Sequence, residues 1–180
     1  MSPLLQETED KMQKAVDHLT KKYRNIRTNR VYPNMLDDVK IDLHGTAMPL
    51  KALASISVQE RNLLITPYDP NTNSAIIKSV SVSSFTSHPI QEKNHIRVPV
   101  PPLSEEMRKE IAKQAKSEKE LTIITIREIR KQSNENIKKQ KNLTEDDRNS
   151  LKKEVQNLTN KYCTRLEEMH TKKEEEILRK

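Results

Sequence analysis

Between Leu4 and Arg30 the residues Leu5, Met12, Val16, Leu19, Tyr23 and Ile26 recur at steps of seven, four and three, which gathers them on one face of a helix. This predicts an amphipathic helix ending near Arg30. The stretch from 103 to 180 is likewise free of proline and glycine, and it divides at Asn142-Leu143-Thr144. Thr144 followed by Glu145, Asp146 and Asp147 offers an N-cap, carboxylates for the positive end of a helix, and the spacing of a capping box. A helix starting there carries Leu151, Val155, Leu158, Tyr162, Leu166, Met169 and Ile177. Its predecessor begins at Ser104-Glu105-Glu106 and carries Met107, Ile111, Ala115, Leu121, Thr125 and Ile129. Three amphipathic helices, each in need of a partner, predict one bundle.

The middle follows a different period. Val39, Ile41 and Leu43 alternate, as do Ile96, Val98 and Val100, and shorter apolar runs occupy Leu53 to Val58 and Leu63 to Ile65; these read as strands. Pro67, Asp69, Pro70 and Asn71 make a turn ahead of Ser74 to Val80, read as a short helix with a further strand as the alternative. Eight of the nine prolines, Pro33 to Pro102, and the single glycine, Gly45, lie in this segment. The expected fold class is α+β: a three-helix bundle of residues 1–30 and 104–180, split in sequence by an inserted β-rich α/β domain of residues 31–103. Two crossings join the parts, one at Arg30, Val31 and Pro33 and one at Pro101, Pro102, Leu103 and Ser104. Adjacent crossings can act as a hinge.

Composition narrows the function classes. Aromatic residues are 3%, with no Trp and only Phe85 among phenylalanines, so sites built on base stacking are disfavoured. No apolar run approaches the roughly 20 residues that span a bilayer, and mean hydropathy is -0.89, which excludes a transmembrane role. The single Cys163 makes neither a disulfide framework nor a cysteine-based zinc site. The start Met1-Ser2-Pro3 has no apolar signal core, so a cytoplasmic location is expected.

Net charge is +7, and it is unevenly distributed. Residues 1–30 hold 7 basic and 4 acidic side chains, residues 31–103 hold 6 of each, and residues 104–180 hold 20 and 16. The flanks carry all of the excess. With Met107, Ile111, Leu121, Thr125 and Ile129 set as the core face of the second long helix, Lys109, Lys116, Lys119, Arg127, Arg130, Lys138 and Lys141 fall within an arc of about 100° on the opposite side. Glu106, Glu110, Glu128 and Glu135 cluster on the other flank, and only Glu105 and Glu120 intrude. Such a stripe suits a rod lying along phosphates, and Arg24, Arg27 and Arg30 add a second basic group. Long charged helices are more commonly just solvated, and a bundle that pairs with a protein through its apolar seams is the alternative. Segregation of sign sets the phosphate reading level with the solvated one.

Other chemistry is thinly represented. His18, His44, His88, His95 and His170 include no pair at the i, i+4 metal spacing. Asp37-Asp38 and Glu174-Glu175-Glu176 read as solvated runs, and Cys163 beside Tyr162 as a residue of the bundle face. One glycine cannot make a Gly-rich phosphate loop, so nucleotide hydrolysis would belong to a partner.

Five groups of residues together resemble the bacterial-type ribosome recycling factor family, in order and spacing and without a large gap. They are Ile26-Arg27-Thr28-Asn29-Arg30 with Pro33; Gly45-Thr46 and Pro49-Leu50 leading into Leu53-Ala54-Ser55; Ile96-Arg97-Val98-Pro99 with Pro101-Pro102-Leu103; Ile126-Arg127-Glu128-Ile129-Arg130; and Leu143-Thr144-Glu145-Asp146-Asp147. The resemblance implies an elongated three-helix bundle and a small α/β domain in an L shape. It implies a factor that docks its bundle on large-subunit rRNA of a 70S-type ribosome after termination and, with elongation factor G hydrolysing GTP, separates the subunits. It implies no catalysis; no cofactor, metal or membrane partner is expected, and a monomer is.

Carried over by position, Arg27 and Arg30 match the family's basic pair, Arg127 and Arg130 its arginines facing rRNA, and Arg108 and Lys109 further basic positions; Pro33 and Pro101 to Leu103 match its hinges. Lys116 and Lys119 join this rRNA-binding set from the stripe, and Lys131 is counted with it. Four departures stand out. Asn29 lies where the family usually has glycine, and Asn tolerates positive φ better than most residues. Met107 replaces a usual arginine, and Lys131 replaces another basic residue while keeping the charge. The tail Leu178-Arg179-Lys180 is more basic than usual.

Overall fold

The computed structural model describes residues 2–82 and 88–179; Phe85 and Lys180 lie outside them. In chain order the elements are helix α1 (Pro3–Asn25), strands β1 (Lys40–Leu43) and β2 (Thr46–Pro49), the one-turn helix α2 (Leu50–Leu53), strands β3 (Ala54–Gln59) and β4 (Asn62–Pro67), helix α3 (Asn73–Ser81), strands β5 (Ile90–Gln91) and β6 (Ile96–Pro99), and helices α4 (Glu105–Lys139) and α5 (Glu145–Leu178). The chain divides into two compact units, Met1–Arg27 with Ser104–Lys180, and Thr28–Leu103.

In the second unit β1 and β2 form an antiparallel pair, and a four-stranded antiparallel sheet runs in the order β3-β4-β6-β5. Leu63 lies opposite Val98 and Ile65 opposite Ile96. Alternation puts these four on one face, where they are fully buried with Ile41, Leu50, Ile76 and Val80. The segment 74–80 is the helix its pattern suggested, within α3, and it contributes Ile76 and Val80. The β1–β2 turn places His44 and Gly45 at φ 51° and 84°, and the Gly45 N–H donates to the Asp42 carboxylate. Glycine meets the second of these angles without a Cβ clash.

The first unit is the three-helix bundle. Leu5, Met12, Val16, Leu19 and Tyr23 of α1 are buried, but the helix stops at Asn25 instead of running to Arg30. Ile26 turns extended, with φ -73° and ψ 124°, and the Thr28 hydroxyl accepts from the Arg30 N–H. Such a local side-chain bond competes with helix continuation. The Ser104 cap of α4 and the full capping box of Thr144 and Asp147 on α5 are both present.

The core face of α4 differs from the one its apolar residues suggested. Met107 and Leu121 are 47% and 56% exposed, Thr125 is exposed, and the buried face is Ala115, Lys119, Thr122, Ile126, Ile129, Ser133 and Ile137. The run Leu121-Thr122-Ile123-Ile124-Thr125-Ile126 is apolar around most of the helix circumference, so its own period does not choose a side. Polar pairing does. Thr8 donates its hydroxyl to the Leu4 carbonyl and therefore accepts the 2.7 Å buried bond from Ser133. The Tyr23 hydroxyl donates to the Ala115 carbonyl at 2.8 Å, and Lys22 pairs with Glu118 at 2.7 Å. These bonds fix the rotation of α4 against α1.

Candidate nucleic-acid interface

Rotating the core face of α4 redistributes its cations. Lys109, Lys116, Arg127, Lys131 and Lys138 are exposed, Arg108 and Arg130 are half-buried, and Lys119 is buried. Lys119 is thereby withdrawn from the stripe. Its ammonium bonds both oxygens of the Glu167 carboxylate, at 3.2 and 3.0 Å, because position 119 lies between the buried positions 115 and 122 on the side that meets α5. Lys109 has a carboxylate neighbour one turn back, Glu105 at 3.3 Å, which tempers its charge.

Arg127, Arg130 and Lys131 sit within two turns near the middle of α4. With Lys138 and Asn134 they line a shallow depression that also receives Ile124, Glu128 and Glu135. The boundary between the basic and acidic flanks runs along this face. Arg130 Nη1 donates to Gln156 Oε1 on α5 at 3.3 Å, and Gln156 Nε2 donates in turn to Asn160 Oδ1 at 2.9 Å. The second bond turns the amide so that its oxygen faces the guanidinium. Gln156 is a positioning residue that no local pattern announced, since its partner is on another helix.

The same two arginines act on Cys163. Burial pushes its thiol up, and the charges of Arg127 and Arg130 pull it back; the thiol packs half-buried against the bundle core. A protonated thiol is a poor nucleophile. Two guanidiniums at i, i+3 can grip anionic oxygens in a bidentate way. Among the described residues no His, Cys, Asp and Glu cluster could hold a metal ion, and no helix is long and apolar enough to cross a membrane.

The remaining candidates lie on both units. Arg27 is half-buried in the first, whereas Arg30 is exposed in the second and reaches the Tyr32 hydroxyl at 3.5 Å. Val31 packs on the core of the second unit. Pro33, Pro101, Pro102 and Leu103 also lie within that unit, and Ser104 opens the first. Asn29 is not in the left-handed region: among the described residues, positive φ occurs at His44, Gly45 and Glu60. What Asn29 supplies is its side chain, whose oxygen accepts from the Leu103 N–H at 2.9 Å.

Comparison with known proteins bears on this arrangement. A family model described as ribosome recycling factor matches residues 19–178. The ribosome-recycling factor of Chlamydia felis is 38% identical over 175 residues, which cover 97% of each chain. That of Flavobacterium johnsoniae is 39% identical over 179 residues, covering 98% of this chain and 96% of the relative. A solution structure of the ribosome recycling factor matches with a TM-score of 0.73 at 29% identity, covering 97% of this chain and 95% of that one. Models of the T. thermophilus ribosome recycling factor and E. coli elongation factor G bound to the E. coli post-termination complex match with a TM-score of 0.59, 29% identity and 97% coverage of both chains.

Proposed function

The chain belongs to the ribosome recycling factor family, and we propose that it binds the large subunit of post-termination ribosomes and, with elongation factor G and GTP, separates the subunits. Arg127, Arg130 and Lys131, with Lys116, Lys109, Arg108, Arg27 and Arg30 as outlying contacts, grip rRNA phosphates. The observation that carries this is the Arg127–Arg130 pair, presented on one face of a rigid 35-residue helix with Arg130 steadied by Gln156. A prepositioned guanidinium loses less side-chain freedom on meeting a phosphate.

The protein does no chemistry of its own. Hydrolysis of GTP takes place on elongation factor G, and the energy reaches this chain as a push on its second unit, which moves against a bundle anchored to rRNA. It works as a monomer in the cytoplasm.

The test is a subunit-splitting assay on post-termination ribosomes with and without matched elongation factor G and GTP. Splitting that needs all three components is the expected result. Absence of splitting with a matched factor overturns the reading. Binding to isolated large subunits that does not weaken with salt would favour a protein-pairing bundle instead.

A further inference from the structure

The two chain segments that join the units are fastened to each other. Asn29 Oδ1 accepts the Leu103 N–H at 2.9 Å across 74 residues of sequence. The Asn29 carbonyl accepts from Arg61 Nη1 at 2.9 Å, and the Arg61 carbonyl accepts the Val100 N–H, also at 2.9 Å. Arg61 lies in the turn between β3 and β4 and is part of the sheet unit. Asn29 therefore bonds at once to the end of the outgoing segment and to the hairpin that holds the outgoing segment at Val100. Leu103 is 5% exposed and Asn29 and Arg61 are half-buried, so water competes weakly for these bonds.

We propose that Asn29 is a clasp that fixes both joining segments to the second unit, so that reorientation of the units turns on residues 26–28 and 103–104 and not on the prolines. Arg30, Val31, Pro33, Pro101 and Pro102 then travel with the second unit as parts of one rigid body. Asn29 is a positioning residue: it acts through the Leu103 amide and the Arg61 side chain. Glycine at this place would keep the carbonyl bond to Arg61 and lose the side-chain bond to Leu103. The inference deepens the hinge assumed in the proposed function, and its test uses the free full chain, so failure of ribosome splitting would not touch it.

The experiment combines amide exchange at Leu103 with a distance distribution between spin labels at Asn149→Cys on α5 and Ser57→Cys on β3, in a Cys163→Ser background. Asn29→Ala is expected to speed exchange of the Leu103 amide by about fivefold or more, the scale of one lost hydrogen bond, and to widen the distribution. Asn29→Asp keeps an acceptor oxygen at the same place and should match the parent in both readouts. Pro101→Ala with Pro102→Ala should also leave the width unchanged. An unchanged width in Asn29→Ala, or an equal widening by the proline substitutions, overturns the clasp.

Discussion

The Lys119 ammonium on α4 lies 3.0 Å from the Glu167 carboxylate on α5, and it is the one member of the basic stripe whose side chain is only 10% exposed. Glu167 is 55% exposed, so deleting the lysine does not strand a buried charge. Lys119→Met is expected to change stability by about 1 kcal/mol or less and to leave large-subunit affinity within about twofold of the parent. Lys116→Ala, on the exposed face, should weaken binding and flatten its salt dependence. Chemical unfolding and binding titrations at several salt concentrations check both. A loss of affinity in Lys119→Met comparable with that of Lys116→Ala would return Lys119 to the proposed RNA-binding face.

Arg130→Ala should weaken large-subunit binding more than Lys153→Ala does. Both positions are on long helices, but Arg130 belongs to the cationic depression and is oriented by Gln156, whereas Lys153 is an exposed residue of α5. Removal of one phosphate contact should also reduce the slope of log affinity against log salt by about one unit. Equal losses from the two substitutions would mean that the stripe is a solvated surface. Gln156→Ala should reproduce part of the Arg130→Ala effect with no change in slope, because it removes no charge.

Thr144 and Asp147 give α5 an acid-sensitive start. The Thr144 hydroxyl and backbone N–H both donate to the Asp147 carboxylate, at 2.6 and 3.2 Å, and these bonds, the side-chain one first, hold its carboxyl below the ordinary 3.8. A depressed acid stabilises the fold above the unfolded value and loses that contribution as pH falls through the folded one. Thr144→Ala should cost about 1 kcal/mol at pH 7. In Asp147→Asn the decline in stability below pH 3.8 should be shallower than in the parent, as read from urea unfolding followed by helix signal. Identical acid profiles would contradict the assignment.

Tyr23 sets the alkaline counterpart. Burial, followed by the negative field of Glu118, Glu167 and Glu174, pushes its phenol from 10.0 to about 12. A raised acid favours the neutral form in the fold, so its contribution is whole below 10 and disappears as pH rises through about 12. Tyr23→Phe loses the bond to the Ala115 carbonyl, costing about 1 kcal/mol near neutrality. It should also lose stability less steeply than the parent across that alkaline window. Denaturant midpoints measured at pH steps from 8 upward test this, and parallel curves would show that Tyr23 does not titrate with unfolding.

Local chemistry made much of this protein legible beforehand. The capping residues Ser104 and Thr144, the burial of Met12, Val16 and Leu19 on one face of α1, and the alternation that buries Ile96 and Val98 all depend on neighbours within a turn or on a strand's own period. Family-specific groups such as Ile126-Arg127-Glu128-Ile129-Arg130 carried the kinship. What the tertiary structure alone decided involves partners far apart in sequence. Which side of α4 faces inward followed from Ser133 meeting Thr8 across 125 residues and Lys119 meeting Glu167 across 48, and that choice exposed Met107 and Leu121. The meaning of Asn29 followed from Leu103, 74 residues away, and not from its own backbone angle. A helix with apolar residues on several sides, or an amide with several possible partners, has no preferred state in isolation. Packing chooses one because a buried hydroxyl, ammonium or amide left without its partner costs more than any difference in local propensity.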